Sequence, residues 1–281
     1  MEFTLGFSPC PNDTFIFDAL VNKKIDTAGI DFIARLEDVQ TLNQQALQQQ
    51  ADITKISYGV LPLVLQHYYL LNSGGALGKA VGPLLIAKQP ITNVQQQAAQ
   101  MSVAIPGKNT TAHLLFSLAF PSVTRKHFMV FNQIEDAVLN GKVDAGVIIH
   151  ENRFTYHDKG LVKLVDLGTY WEEVTGVPIP LGGIIIKKTI DKQLQQTIDN
   201  LIKQSVEYSF AHYPTLSPYV KQHAQEMDES VMRKHIDLYV NNYTLALGSN
   251  GKKAVQTLLK VYGDLHKSKV ASLHDHLVAE A

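Results

Sequence analysis

A single cysteine, Cys10, occurs in 281 residues. No disulfide can form within such a chain, and no cysteine-rich metal or redox motif can be built from it. Long apolar runs are also missing: no stretch reaches the ~20 residues that a spanning helix needs. The N-terminus lacks the basic-then-apolar order of a secretory leader. Neither sign of charge is in excess, since 25 basic residues face 26 acidic ones. That balance leaves no global field to draw in nucleic acid or an anionic membrane. Three site motifs are absent as well. There is no H-x-x-x-H or H-E-x-x-H pattern for a metal, no G-x-S-x-G nucleophile turn, and no G-x-x-x-x-G-K-[ST] phosphate loop. His274 and His276 do stand two apart, but in a tail. These absences lead to an expectation of a cytoplasmic protein with no metal, no nucleic acid and no membrane, acting on a small molecule.

What is present is a well-supplied core, with 45% hydrophobic residues, enough for one large or two medium domains. Apolar, β-branched runs predict strands over Phe3–Phe7, Ile30–Arg35, Ile53–Ser57, Leu84–Ala87, Ser102–Ile105, His127–Val130, Ala145–Ile149 and Gly183–Lys187. Helical spacing falls at Thr14–Val21, Val39–Gln49, Val94–Ala99, Thr111–Ala119, Ile134–Leu139, Lys192–His212, Leu216–Gln225, Glu229–Val240 and Lys252–Leu265. The alternation indicates an α/β fold with largely parallel strands. The glutamine-rich stretches Gln44–Gln50 and Gln95–Gln97 are read as exposed helix faces. The last dozen residues, from about Val270, are read as a frayed tail.

A weak internal repeat organises this alternation. "ALQQQADITKIS" and "AVLNGKVDAGVIIH" each run from a helix end through a polar turn to an aspartate, Asp52 or Asp144, and then a strand. Each strand ends in polar residues: Lys55 and Ser57 in one, His150 and Glu151 in the other. A second pair, "SGGALGKAVGPLLIAKQ" and "GVPIPLGGIIIKKT", places Gly and Pro ahead of an apolar strand closed by lysine. Such glycines suit a crossover and a hinge between lobes. The expected division is a discontinuous first lobe, 1–85 with 185–281, and a second lobe, 86–184. Ligands in open α/β sheets bind at the carboxyl ends of strands, so two facing lobes would bring both polar strand ends into one cleft.

Four stretches are candidates for that cleft. In SPCPNDTF, Ser8 to Phe15, two prolines fix the turn around Cys10, and Asn12 or Asp13 is placed to cap a helix near Thr14. In ITKISYG, Lys55 and Ser57 alternate around Ile56 and share one side of a strand. That strand is either an edge with its polar side outward, or a core strand whose lysine needs a carboxylate. In PGKNTTAHLL, Asn109, Thr110 and Thr111 stand where a helix starts. One residue suffices as a cap, so the others suit an anion or carboxylate ligand. In VIIHENRFTY, His150 ends an apolar strand. Imidazole titrates near neutrality and is suited to removing a proton, although strand-end histidines are often structural. Glu151 would point to the opposite face of a continuing strand. Arg153 has two readings, as a partner of Glu151 or of substrate.

SPCPNDTF, KISYG, SGGALG, the Gly-Lys-Asn-Thr-Thr-Ala turn and HENRFTY occur here in this order. Together they make the chain resemble, over about residues 1–265, the 1,4-dihydroxy-6-naphthoate synthases of the futalosine route to menaquinone. The resemblance implies a periplasmic-binding-protein-like fold of two α/β lobes around a ligand cleft. It implies a lyase that converts cyclic dehypoxanthine futalosine to 1,4-dihydroxy-6-naphthoate without metal or organic cofactor. The family's proposed base falls on His150, and its substrate-contact segments fall on Lys55, Ile56, Ser57, Asn109, Thr110 and Thr111. Asn12 and Arg153 join them as expected substrate contacts, and the substrate is expected to carry a carboxylate. Two other readings share the fold: the chorismate dehydratase of the same pathway, and a non-catalytic solute-binding protein. A LysR-type effector domain would need a DNA-binding segment ahead of the lobes. Exposed faces in the helical C-terminal third could pair two copies, so a homodimer is also an expectation.

Overall fold

The computed structural model describes residues 1–150, 152–224 and 228–279. The chain opens with β1 (Glu2–Phe7), α1 (Pro11–Val21), β2 (Asp31–Leu36), α2 (Val39–Leu47), β3 (Ile53–Ser57), α3 (Leu61–Val64), β4 (Tyr68–Leu70) and β5 (Ala76–Gly78). It then crosses to β6 (Leu84–Ala87), α4 (Val94–Gln97), β7 (Val103–Ile105), α5 (Thr111–Ala119), β8 (Lys126–Phe128), α6 (Ile134–Leu139), β9 (Ala145–Ile148), α7 (Asn152–Thr155), β10 (Val162–Asp166) and α8 (Leu167–Thr175). It returns through β11 (Ile179–Lys187) to α9 (Lys192–His212), α10 (Pro218–His223), α11 (Glu229–Tyr239), α12 (Asn242–Leu245) and α13 (Gly248–His266).

The strands form two sheets, one in each of two α/β lobes. The first has the order β2-β1-β3-β11-β4, with β5 also on β11; the second reads β8-β7-β9-β6-β10. The two orders are the same topology. In each, the strand that has just crossed between lobes, β11 or β6, lies fourth and runs against its neighbours. The sheets are therefore mixed, which corrects the expectation of largely parallel strands. A chain arriving from the other lobe enters from the opposite end, and so it must pair antiparallel. The first three strands of each order, β2-β1-β3 and β8-β7-β9, pair parallel and are joined by helices.

The sequence repeat has a physical basis in this duplication. Asp52, just before β3, accepts from the Thr4 amide at 3.0 Å and the Thr4 hydroxyl at 2.8 Å. Asp144, just before β9, accepts from the Ser102 amide and hydroxyl, both at 2.7 Å. In each lobe one aspartate thus ties the third strand to the start of the first. The Ser102 bonds hold the Asp144 carboxyl below its ordinary range.

Caps explain why several helices fall where their sequences predict. Thr110 opens α5 by accepting from His113 N at 3.1 Å, and Asp191 opens α9 by accepting from Gln193 N at 2.9 Å. The sequence reading has no counterpart for β4, β5, β10, α3, α7, α8 or α12. Most of these are three to five residues long, too short to show a period. As far as Ala279 the C-terminal segment is not frayed, contrary to expectation. Leu277 bridges to Leu70, the Val278 amide donates to Leu70 O at 3.0 Å, and the Val278 side chain is buried. An apolar Leu-Val pair finds the uncovered edge of β4 and stays there. The predicted helix Leu216–Gln225 ends in the structure at His223, and Gln225 lies outside the described residues. Among the described residues, no helix is long and apolar enough to cross a membrane.

Candidate active site

A cleft lies between the carboxyl ends of β3 and β9, where ligands bind in open α/β sheets. Its first-lobe wall is the turn from β1 into α1. The sequence reading has Asn12 or Asp13 capping this helix. Instead α1 begins at Pro11, and Cys10, at the cap position, makes no side-chain cap bond. Proline at the first helical position has no N–H to satisfy, which leaves Asp13 available for another task. Its carboxylate accepts from Ser8 N at 3.2 Å, Ser8 Oγ at 2.7 Å and Asn12 Nδ2 at 2.8 Å. It also pairs with Lys55 Nζ at 3.0 Å.

Lys55 is thus neutralised within the wall, and it donates as well to Gly74 O at 2.9 Å. β3 is a central strand, buried along its whole length between β1 and β11. The edge-strand reading of Lys55 and Ser57 therefore falls, and the core-strand reading with a carboxylate partner stands. The ionised Asp13 can only accept, so it fixes the Asn12 amide with Nδ2 toward it. Asn12 Oδ1 is then left buried on the cleft wall without a hydrogen-bond partner.

Ser57 is held by a residue that sequence reading missed. Asn43 on α2 is fully buried. Its Oδ1 accepts from Ser57 N at 2.9 Å, and its Nδ2 donates to Ser57 Oγ at 3.1 Å. Because Oγ accepts that bond, the hydroxyl proton is left to donate to a ligand. The one hint in the sequence was an amide flanked by apolar Leu42 and Ala46 on a helix otherwise rich in glutamine.

The opposing wall is the N-terminus of α5. Thr110 and Thr111 both line the cleft, but their hydroxyls have structural tasks. Thr110 Oγ1 caps the helix and donates to Gly107 O at 2.9 Å. Thr111 Oγ1 accepts from Gly59 N at 3.0 Å and donates to Leu181 O at 2.7 Å, joining the lobes. Gly59 is required at this crossing, because a Cβ there would lie 2.5 Å from the Thr110 carbonyl oxygen. What remains for a ligand are the first-turn amides of α5, which have no partner within the helix. Asn109 lies behind this turn. Its carbonyl accepts from Asn43 Nδ2 at 3.2 Å, and it is not among the lining residues.

His150 closes the cleft two residues beyond β9. Its backbone is left-handed, φ +56°, a conformation uncommon outside glycine and asparagine and often kept at functional positions. The half-buried ring packs against Phe131, centroids 4.9 Å apart. Cys10 Sγ lies 3.5 Å from His150 Nδ1. The ring of His235 lies nearly parallel at 6.1 Å, and Tyr239, one helical turn further along α11, packs edge-on against His235 and lines the cleft. Sequence reading missed His235 and Tyr239. Their i, i+4 spacing marks a shared helix face, but only packing shows what that face meets. Burial, with a further contribution from His150, pushes His235 well below the ordinary imidazole range. It stays neutral at any pH near 7.

Arg153 does not reach the cleft. It pairs with Asp166 at 2.9 Å, donates to Ala80 O at 2.8 Å and also bonds the Gly82 carbonyl. Arg153 lies on α7, Asn152–Thr155, and its guanidinium is spent on the crossover segment. Glu151 lies outside the described residues. Ile56 is buried and lines the floor. Among the described residues, no three His, Cys, Asp or Glu side chains come together to hold a metal. The cleft thus brings the Ser57 hydroxyl, the first-turn amides of α5 and the His150 imidazole onto one largely apolar lining.

Comparison with known proteins gives consistent results. A family model described as menaquinone biosynthesis matches residues 3–264. A 1,4-dihydroxy-6-naphthoate synthase of Thermus thermophilus is 43% identical over 254 residues, covering 90% of this chain and 91% of the relative. One of Streptomyces coelicolor is 41% identical over 261 residues, covering 91% and 90%. A crystal structure of an Archaeoglobus fulgidus protein superposes with a TM-score of 0.88 at 28% identity, over 95% of this chain and 98% of that one. The alkanesulfonate-binding protein SsuA of Xanthomonas axonopodis, bound to MOPS, gives 0.75 at 12% identity over 100% and 98%. At that identity the likeness concerns the fold, that of the two-lobed solute-binding proteins.

Proposed function

The chain belongs to the menaquinone biosynthesis family, and on that premise we propose that it is a carbon–carbon lyase making 1,4-dihydroxy-6-naphthoate from cyclic dehypoxanthine futalosine. The observation that carries this reading is His150. It is an imidazole on a left-handed residue just past the strand end, lining the same largely apolar cleft as the Ser57 hydroxyl and the first turn of α5. The substrate carboxylate binds the Ser57 hydroxyl and the first-turn amides of Thr111 and Ala112, where the helix dipole favours an anion. Asn12 Oδ1, left without a partner, accepts from a substrate hydroxyl. Lys55 tunes this wall through Asp13, while Asn109 positions the turn and Arg153 braces the crossover beside the site.

Neutral His150 takes a proton from carbon and becomes imidazolium, the sugar-derived ring opens, and the carbon–carbon bond to it breaks as the naphthalene ring aromatises; the imidazolium then gives its proton to the departing fragment. His150 serves as the base, and the Ser57 hydroxyl with the first-turn amides of α5 serves as the anion-binding group. The lobes, expected as 1–85 with 185–281 and 86–184 and taken here with β6 whole in the second and β11 whole in the first, close on the substrate and exclude water from the opened intermediate. The test is to incubate the purified protein with cyclic dehypoxanthine futalosine and, separately, with chorismate, following products by mass. The naphthoate from the first alone supports the reading. A dehydrated product from chorismate would overturn it in favour of the sibling dehydratase. Tight binding with both compounds returned unchanged would leave a solute-binding protein.

A further inference from the structure

His150 hangs from the second lobe, but the first lobe orients it. From its own lobe the ring has Phe131 on one side, at 4.9 Å. Two further contacts cross the cleft. Cys10, in the turn between β1 and α1, places Sγ 3.5 Å from Nδ1. His235, on α11, lays its ring 25° from parallel to that of His150, at 6.1 Å. Neither first-lobe group has freedom to wander. Cys10 and His235 are buried, and α11 is anchored by Met232 and Ile236 in the same core as Phe15 and Ile16 of α1. Tyr239 backs His235 with centroids 4.7 Å apart.

We infer that Cys10 and His235 are positioning residues that complete the general base only when the two lobes meet. The reaction assumed is the naphthoate-forming one above. A histidine acts as a base through one unprotonated nitrogen, and the partner of the other nitrogen decides which one it is. With the Nδ1 proton directed at the thiol sulfur, a weak acceptor, the lone pair resides on Nε2. The parallel His235 ring fixes the plane in which Nε2 points. The terminal torsion of histidine is broad and nearly two-fold, and these two contacts select among its faces and tautomers. Being neutral and buried, His235 constrains the ring without lending it a proton. The consequence is functional: a base assembled across the cleft acts on enclosed substrate and is idle while the lobes are apart.

The experiment measures kcat and KM for wild type, C10A, C10S, H235A and H235F, and reads the His150 ring tautomer from its ¹⁵N shifts. C10A and H235A should each lower kcat ~10-fold or more with KM within ~2-fold, because a misplaced base loses the transition state and not ground-state binding. C10S keeps an acceptor at Nδ1 and H235F keeps a stacked ring, so both should recover most of kcat. The Nδ1–H tautomer should dominate in wild type and give way to a mixture in C10A. Unchanged kcat in both alanine variants, a change in KM alone, or the same tautomer in wild type and C10A would overturn the inference. Should H235A fail to fold, C10A and H235F still decide it. Should wild type form no product, the naphthoate reading falls, and the tautomer populations, which need no substrate, decide this inference separately.

Discussion

Replacing Asp13 with asparagine tests whether the cleft wall rests on a buried ion pair. The change keeps the shape of the side chain and removes its charge. Asp13 and Lys55 are 4% and 6% exposed and 3.0 Å apart, so the remaining ammonium has little water to turn to. It would keep Gly74 O, and the Ser8 amide and hydroxyl would lose their charged acceptor. Breaking a buried pair from one side typically costs ~3–5 kcal/mol, which for a chain of this size corresponds to roughly 6–20 °C in Tm. Urea unfolding read by Trp171, the one tryptophan and fully buried, would report the loss. D13N/K55M removes both charges and should recover most of the stability, since the penalty lies in the uncompensated ammonium. Asn12 loses the carboxylate that orients it in either variant, so KM should stay raised in the double variant after stability returns. A D13N protein within ~1 kcal/mol of wild type, or a double variant no more stable than the single, would refute the reasoning.

The other expectations separate binding from scaffolding. S57A removes a hydroxyl aimed at the substrate carboxylate and should raise KM ~10-fold or more, the worth of a charge-assisted bond; steady-state kinetics showing KM unchanged would remove Ser57 from the site. R153A should cost ~1–3 kcal/mol of stability, by leaving Asp166 and two carbonyls without their donor, with KM within ~2-fold in the same assay. His235 makes stability depend on pH. Its folded-state pKa is held well below 6.5 by burial, so the unfolded chain takes up a proton that the folded one does not. That stability is complete above pH ~6.5 and falls as pH drops toward the folded value, by at most ~1.4 kcal/mol per pH unit. Urea midpoints between pH 7 and 5 should therefore fall less steeply in H235F, and identical slopes would contradict the assignment.

Local chemistry made part of this molecule legible in its sequence. The predicted strands Ile53–Ser57 and Leu84–Ala87 and helices Thr111–Ala119, Ile134–Leu139 and Lys192–His212 coincide with β3, β6, α5, α6 and α9. The strands are runs of apolar or β-branched residues, the helices carry apolar residues at helical spacing, and α5 and α9 begin at a side-chain cap. The internal repeat was visible because the same aspartate device recurs at Asp52 and Asp144. Strand direction was not visible, because it depends on which lobe a strand arrives from. At the cleft, the strand-end rule brought Lys55, Ser57 and His150 together with Asn12, Thr110 and Thr111. It gave no access to Asn43, His235 or Tyr239, which reach the site only through the packing of α2 and α11. Nor could it separate Arg153 from the site, since that depended on the contacts of its guanidinium with the crossover segment.

The most direct test of the central claim is the rate of naphthoate formation by His150→Ala beside wild type, with substrate binding measured separately by calorimetry. If His150 is the base, the variant should bind with Kd within ~3-fold of wild type and lose ~10²-fold or more in kcat, the usual share of general-base catalysis. Equal rates from the two proteins would make His150 a structural strand end and contradict the account.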